Sequence, residues 1–342
     1  MLEPFRPILS LLQLTRIALA LAVVSNCWLT VFLAVEIEPV QGRSAILEHM
    51  PLGLALLWAA VVAIGLHIHG VAMNDALDAR HDRLFSPQRP IPAGRVRRTS
   101  AVVVAIIGLL AAIVAGAFLG HEAILLTALA AAVLLFFNAT GKYLPAAGIL
   151  ALALTRIITM LIPNAHLGFA WPLWMSMTHV AAATALGHLL EDKRPRLVRR
   201  EINRLALGWA LGTAAIVAFM LWRGTILAYG RPFIWIGPAI AGTIFFIVSW
   251  IVVVRINRLN RSVQSDPLER RHLAQSYIRL SILWLIVYDA AWLFSAGLIV
   301  PGLLHLTLFV SVYVILYLMG PVTFAIGEKP GYRIDPQSMG MK

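Results

Sequence analysis

Charge is scarce in this sequence and cysteine nearly absent. Only 13% of the 342 residues are Asp, Glu, Lys or Arg, where a soluble globular domain carries about a quarter. The single cysteine, Cys27, sits in an apolar run, which excludes a disulfide framework and any Cys-based metal site. Acidic residues are the scarcer sign, 16 against 28 Lys and Arg, for a formal net charge of +12. Apolar residues take up the difference: they make up 60% of the chain, and mean hydropathy is +0.83. That much apolar surface excludes a disordered chain. The composition is that of a polytopic membrane protein.

A bilayer core takes about 20 mostly apolar residues per helix. Ten segments qualify, near 17–35, 51–73, 100–119, 121–137, 144–162, 171–190, 205–222, 233–254, 280–299 and 303–320. Very short turns join the third to the fourth and the ninth to the tenth. If one segment is re-entrant, nine spans remain. The first is expected to stay in the protein, because no A-x-A-like cleavage site follows it.

The basic residues are unevenly placed. The N-terminus, the loops at 74–99, 138–143, 191–204 and 255–279, and the C-terminal tail hold 24 of the 28. The opposite loops hold Arg43, Arg223 and Arg231, and Arg156 falls inside a span. The positive-inside rule makes the basic face cytoplasmic, with both termini inside if there are ten spans. Membrane insertion thus accounts for the positive charge, and a nucleic-acid partner is not expected. Contact with anionic lipid headgroups is.

The loop after the second span reads HGVAMNDALDARHDRLFSPQRPIPAGRV, residues 69–96. Asn74, Asp78 and Asp82 recur every four residues, with Asp75 three before Asp78, so they share one face of a helix leaving the membrane. Like charges at that spacing repel, and a cation is their natural partner. Mg2+ takes hard oxygen ligands, commonly one or two carboxylates completed by water and substrate phosphates. Arg80, Arg83, Arg89, Arg95, Arg97 and Arg98 follow, around a turn built on Pro90, Pro92 and Gly94. A metal on acids beside arginines reads as a diphosphate site. An isolated D-x-x-D is more simply a solvated helix end; four ligand-type residues in register before RPIPAG favour the site.

NDALDARHDR followed by QRPIPAGRV resembles the first aspartate-rich motif of the UbiA superfamily of intramembrane prenyltransferases, N-D-x-x-D-x-x-x-D with a downstream R-P-[IL]-x-x-G. The resemblance implies an all-α bundle of nine or ten transmembrane helices around a central cavity, formed by one domain over 1–342 with 321–342 a short cytoplasmic tail. It also implies Mg2+-dependent transfer of an isoprenyl group from a polyprenyl diphosphate to a hydrophobic acceptor, aromatic acceptors included, in the membrane. Placement in a cell inner membrane, with the active-site loops cytoplasmic, is expected. Asp75, Asp78 and Asp82 become the catalytic, metal-holding acids, and Asn74, Arg89, Lys142 and Arg156 bind the diphosphate.

Elsewhere the family pattern is altered. Lys142, in FFNATGKYLPAAGILALALTR, fits the family's lysine, while Phe137 stands where tyrosine is expected. The second motif, D-x-x-x-D, corresponds to THVAAATALGHLLEDKRPRL, residues 178–197. There His188 replaces the first aspartate. Glu191 and Asp192, the expected second metal group, are adjacent and so about 100° apart on a helix.

Ionisable residues at membrane depth are expensive and default to paired or functional roles. Arg156 and Asp289 are such residues, read either as a buried ion pair or, for Arg156, as a cavity cation near the diphosphate or an acidic acceptor. His67, seven residues before Asn74, shares roughly its face and could act as a base; a hydrogen bond between helices is the simpler role, as for His69 and His179. Arg16 and Asn26 could line the cavity, with Arg16 equally able to anchor the first span. A CDP-alcohol phosphotransferase, whose motif is D-G-x2-A-R followed by G-x3-D-x3-D, is excluded because Asp78-Ala79-Arg80 supplies only a fragment and the later half is missing. The remaining rival is a catalytically degenerate protein that binds or moves an isoprenoid lipid.

Overall fold

In a computed structural model of the chain, helix occupies each of the ten apolar segments. The structure describes residues 10, 12, 14–38, 42–87, 89–191, 193–227, 232–261 and 267–325, and no strand occurs among them. The helices are α1 (Ile17–Glu36), α2 (Ala45–His49), α3 (Leu52–Phe85), α4 (Arg98–Leu119), α5 (His121–Ala139), α6 (Pro145–Leu161), α7 (Trp171–Leu190), α8 (Arg199–Arg223), α9 (Ile236–Arg261), α10 (Pro267–Ser295) and α11 (Ile299–Ala325). Among the described residues eight helices are long and apolar enough to cross a membrane: α1, α3, α4, α5, α8, α9, α10 and α11. Helix α6 stops at 17 residues, and α7 interleaves Ser176, Thr178, His179, Thr184 and His188 with its apolar residues. The chain is an all-α membrane bundle, as its sequence leads one to expect. Length and composition credit eight of the described helices as spans, with α6 a shorter apolar helix outside that count.

Local chemistry sets the boundaries. Pro145 and Pro172 stand in the first turns of α6 and α7, where a missing N–H costs nothing. Gly120 alone separates α4 from α5, at φ 120, a conformation closed to residues with a Cβ. Helix α3 is 34 residues long, about 51 Å by helical rise, against an apolar bilayer core of about 30 Å. Its last turns therefore carry the acidic motif out of the apolar layer.

Small residues let α3 and α4 approach closely. Ala101, Ala105, Gly108, Ala112, Ala115 and Gly116 form one buried stripe on α4, with the spacing that brings membrane helices together. A Cβ on Gly108 would lie 2.8 Å from the Gly65 carbonyl oxygen. Val103, Ile106, Ile107, Leu110, Val114 and Phe118 are exposed on the rest of α4, where a lipid-facing surface belongs. At the end remote from the acidic motif, loops are sewn together by buried polar side chains. Asn164 Oδ1 accepts from the Ser44 amide at 3.0 Å and Asn164 Nδ2 donates to the Gly42 carbonyl at 2.8 Å. Glu38 Oε1 accepts from the Phe169 amide at 2.6 Å, and Thr225 Oγ1 donates to the Gly168 carbonyl at 2.6 Å. Below them pack Leu29, Phe32, Leu33, Phe169, Met220 and Trp292.

Candidate active site

The acidic face of α3 is matched by cations arriving from three other parts of the chain. Asp75 is buried, and Arg16 Nη2 donates to its Oδ1 at 2.9 Å. Asp78, one turn on, pairs with Lys142 Nζ. Asp82, also buried, accepts from Arg89 Nη1 at 2.7 Å. The same Arg89 nitrogen stands 3.5 Å from Asp75 Oδ1, so Asp75 and Asp82 converge on one point. Asn74 Nδ2 reaches Asp75 Oδ1 at 3.4 Å, and His81 Nδ1 lies 3.9 Å from Asp82 Oδ1.

Each cation is delivered by a local device. The Ser86 amide closes α3 on the Asp82 carbonyl at 2.8 Å, and the Ala93 and Arg95 amides bond back to the Arg89 and Pro90 carbonyls. Gly94 takes φ 74, and this Pro-rich turn folds Arg89 over the acids. Lys142 sits in a short 3-10 turn, Gly141–Tyr143, ahead of α6. A Cβ on Gly148 would strike the Gly141 carbonyl, so the glycine pair holds that turn against α6. Arg16 precedes α1 with φ 45 and ψ 39, a left-handed conformation uncommon for a residue with a side chain. The bend aims its guanidinium at Asp75.

The structure thus brings together Asn74, Asp75, Asp78, Asp82, Arg89 and Lys142. It does not bring Arg156 to them. Arg156 lies eleven residues into α6 from Pro145, about 17 Å deep by helical rise, and its Nη1 donates to Asn26 Oδ1 at 3.0 Å. Its bonded partner in this structure is Asn26 on α1, not an aspartate of α3. Nor do Arg156 and Asp289 form a direct ion pair: Asn26 stands between, its Nδ2 donating to the two Asp289 oxygens at 2.9 and 2.7 Å. Glu191 pairs with Lys193 at 2.6 Å, and His188 Nε2 lies 2.8 Å from the Pro195 carbonyl oxygen. Asp192 lies outside the described residues. His69 and His179 take interhelical bonds to the Ala105 and Ser281 carbonyls, at 3.2 and 2.8 Å.

Sequence reasoning left Arg16 open between lining the cavity and anchoring the first span, and did not place it among the site residues. It opens the first apolar run on the same basic face as the acidic motif, and that shared face is the signal that it belongs to the site. Ser25, which donates to Asp289 Oδ2 at 2.5 Å, carries no signal beyond its neighbour Asn26.

The donor set fits Mg2+. Two carboxylates already meet at a cationic atom, and hard oxygen is the ligand this ion prefers. Among the described residues no group of three or more His, Cys, Asp or Glu is placed to hold a metal. Asp75 and Asp82 would supply two oxygen ligands to such an ion, leaving its other positions to water and phosphate oxygens.

An all-helical membrane bundle with a cation-balanced aspartate face at one end of its second long helix defines a narrow class. The sequence pattern of the UbiA prenyltransferase family matches residues 44–274, and the chain belongs to that family as an integral, multi-pass membrane protein. It is 27% identical over 206 residues to the digeranylgeranylglyceryl phosphate synthase of Methanoregula boonei, covering 54% of this chain and 73% of the relative. A solved structure of a digeranylgeranylglyceryl phosphate synthase superposes with TM-score 0.55 at 15% identity, over 86% of this chain and 99% of that one. The apo structure of a UbiA homologue from Aeropyrum pernix gives 0.53 at 16%, over 82% and 98%. At these identities the structures speak for the fold.

Proposed function

We propose that the protein is a prenyltransferase, moving an isoprenyl group from a polyprenyl diphosphate to a hydrophobic acceptor inside the membrane. The observation that carries this reading is the pairing of Asp75, Asp78 and Asp82 with Arg16, Lys142 and Arg89, in a chain of the UbiA family. Bound at Asp75 and Asp82, with Asp78 beside them, Mg2+ would supply positive charge to the diphosphate oxygens as the allylic C–O bond breaks. Arg89, Lys142 and Arg16 exchange their carboxylate partners for diphosphate oxygens when substrate arrives, and their charge stabilises the leaving group. Asn74 orients Asp75. The surrounding apolar helices exclude water, so the electrophilic carbon meets the acceptor rather than hydroxide. The basic loops beside the site support a cytoplasmic placement for it, in a cell inner membrane on this reading.

The test is binding of farnesyl thiolodiphosphate, whose C–S bond resists ionisation, to the full chain in detergent. Saturable binding that is lost with EDTA and in Asp78→Ala supports the reading. A folded protein that binds none of it at any Mg2+ concentration overturns it. Glu191→Ala reports whether the second motif contributes. The pairing of Glu191 with Lys193 favours one second reading, a lipid-binding member without turnover, which would bind the analogue yet consume no prenyl diphosphate with any acceptor.

A further inference from the structure

Helix α8 stands at the edge of the bundle, with Met220 its only buried residue. Side chains moor it there. Trp209 Nε1 donates to Thr178 Oγ1 at 2.9 Å and Trp174 Nε1 to Thr213 Oγ1 at 3.0 Å, tying it to α7. At the aspartate end of the bundle, Glu201 Oε2 accepts from the Ala146 amide at 3.4 Å, tying it to the first turn of α6. Beneath α8 a cavity of about 620 Å3 remains, walled by α5, α6 and α7, a size typical of a ligand site.

Small residues hollow this groove, among them Ala132, Ala147, Ala151, Gly208 and Gly212, and no charged side chain lines it. Phe136 and Leu154, also in its lining, are 43% and 47% exposed, so it opens toward lipid. Ala147 and Ile157 mark its extent on α6, ten positions apart. That is about 15 Å by helical rise, half of an apolar bilayer core of about 30 Å. The groove is one leaflet deep. It is also separate from the reaction site: Arg156, bonded to Asn26 of α1, lies about 160° around α6 from Leu154 at 3.6 residues per turn.

The mouth is cationic. Arg200, Arg204, Gly208 and Gly212 follow at four-residue steps along one side of α8, running inward from the aspartate end. Arg204 Nη1 donates to Glu201 Oε1 at 2.5 Å, which holds it beside the start of α6 with its charge balanced. Arg200 is exposed and has no ion-pair partner among the described residues. Tyr143, 54% exposed, closes the turn before α6 at the same end, and such rings mark the headgroup level.

We infer that the groove is a resident site for an anionic phospholipid of the leaflet on the aspartate side, with one acyl chain under α8 and the phosphate on Arg200. The chain matches the length and lining of the groove, and the headgroup supplies the charge that Arg200 lacks. A second copy of the protein fits less well. Symmetric pairing in one membrane sets the same patch against itself, and the arginines would oppose one another. The lipid completes packing that protein side chains leave undone around α8. It is neither donor nor acceptor, so the inference stands apart from the prenyl-transfer reading.

The experiment is native mass spectrometry of the full chain in detergent, titrated with dioleoylphosphatidylglycerol or dioleoylphosphatidylcholine. One phosphatidylglycerol is expected to bind about five-fold more tightly than phosphatidylcholine, the worth of one arginine at a lipid surface. Arg200→Gln is expected to erase that preference. Arg258→Gln, which removes an exposed cation of α9 away from the groove, should leave it unchanged. Ala132→Phe, which fills the groove from α5, is expected to weaken both lipids about ten-fold or more, the loss of about two buried methylenes. Several outcomes overturn the inference: no binding of either lipid, equal affinity or the reverse order, or a preference that survives Arg200→Gln or falls as far with Arg258→Gln. Binding untouched by Ala132→Phe does the same. If Ala132→Phe does not fold, the two arginine variants, both at exposed positions, still decide. Displacement of the bound lipid by farnesyl thiolodiphosphate would make the groove part of the donor site and also overturns the inference.

Discussion

Arg89 donates to Asp82 at 2.7 Å across only seven positions, because the chain stops its helix at Ser86 and turns back through Pro90 and Gly94. The one nitrogen serves Asp75 as well, so two carboxylates depend on it. Arg89→Ala is expected to weaken thiolodiphosphate binding about ten- to hundred-fold, as loss of a charge-assisted bond does. Arg89→Lys should recover only part, since an ammonium has no planar fork. Titration of both variants checks this, and full recovery by lysine would show that charge alone matters.

Lys142 depends on a neighbour rather than on its own helix. The Gly141–Gly148 approach fixes the turn that carries it to Asp78. Lys142→Met should weaken donor binding about ten-fold or more and leave the secondary structure intact. Removing Mg2+ with EDTA should act more strongly than this variant. Without metal the aspartates keep their protein cations and the diphosphate loses its bridge. An analogue that binds equally well with and without EDTA would contradict the two-carboxylate metal site.

Helix approach gives a prediction with its own control. A side chain on Gly108 runs into the Gly65 carbonyl and the His69 backbone, whereas Gly53 has nothing within 4 Å of its missing Cβ. Gly108→Val is expected to lower the thermal stability of the purified protein and donor binding together, since it pushes α4 from the helix bearing the aspartates. Gly53→Ala should be neutral or slightly stabilising. Equal unfolding temperatures for the two variants would refute the tight α3–α4 seam.

The opposite end of the bundle should separate stability from binding. Asn164 satisfies the Ser44 amide and the Gly42 carbonyl, far from the aspartates. Asn164→Ala leaves both without that partner, at a cost of about 1–3 kcal/mol. Thermal unfolding in detergent should report the loss while the affinity for thiolodiphosphate stays within about two-fold, well below the effect of losing one charged hydrogen bond.

Much of this architecture is legible in the chain because membranes impose simple rules. A run of about 20 apolar residues must be helical, so all ten segments could be placed, and a four-residue repeat of acids fixes their shared face on α3. Pairings at long range are less legible. Lys142 and Asp78 are 64 positions apart, and Arg16 and Asp75 are 59 apart; charge sign marks them as partners without saying which meets which. Arg156 and Asp289 show the limit. Two opposite charges at membrane depth invite a direct pair, and only the register of α1 against α6 and α10 reveals Asn26 between them. Spacing also cannot show that Glu191 turns to Lys193.

That intervening amide yields the last prediction. Asn26→Leu keeps the bulk of the side chain but deletes three hydrogen bonds at once, one to Arg156 and two to Asp289. It leaves a cation and a carboxylate at membrane depth with fewer partners. Asp289→Asn removes a charge yet retains one acceptor oxygen, and Ser25→Ala removes a single bond. The loss of stability should therefore rank Asn26→Leu above Asp289→Asn above Ser25→Ala, with about 1–2 kcal/mol for each unpaired group in a membrane interior. Thermal unfolding of the three variants in one detergent gives the order directly. Combining Asn26→Leu with Asp289→Leu should cost less than the sum of the two, because the second change removes the carboxylate that the first left stranded. Strict additivity would mean that Asn26 and Asp289 act independently, and the relay that holds Arg156 would then need another explanation.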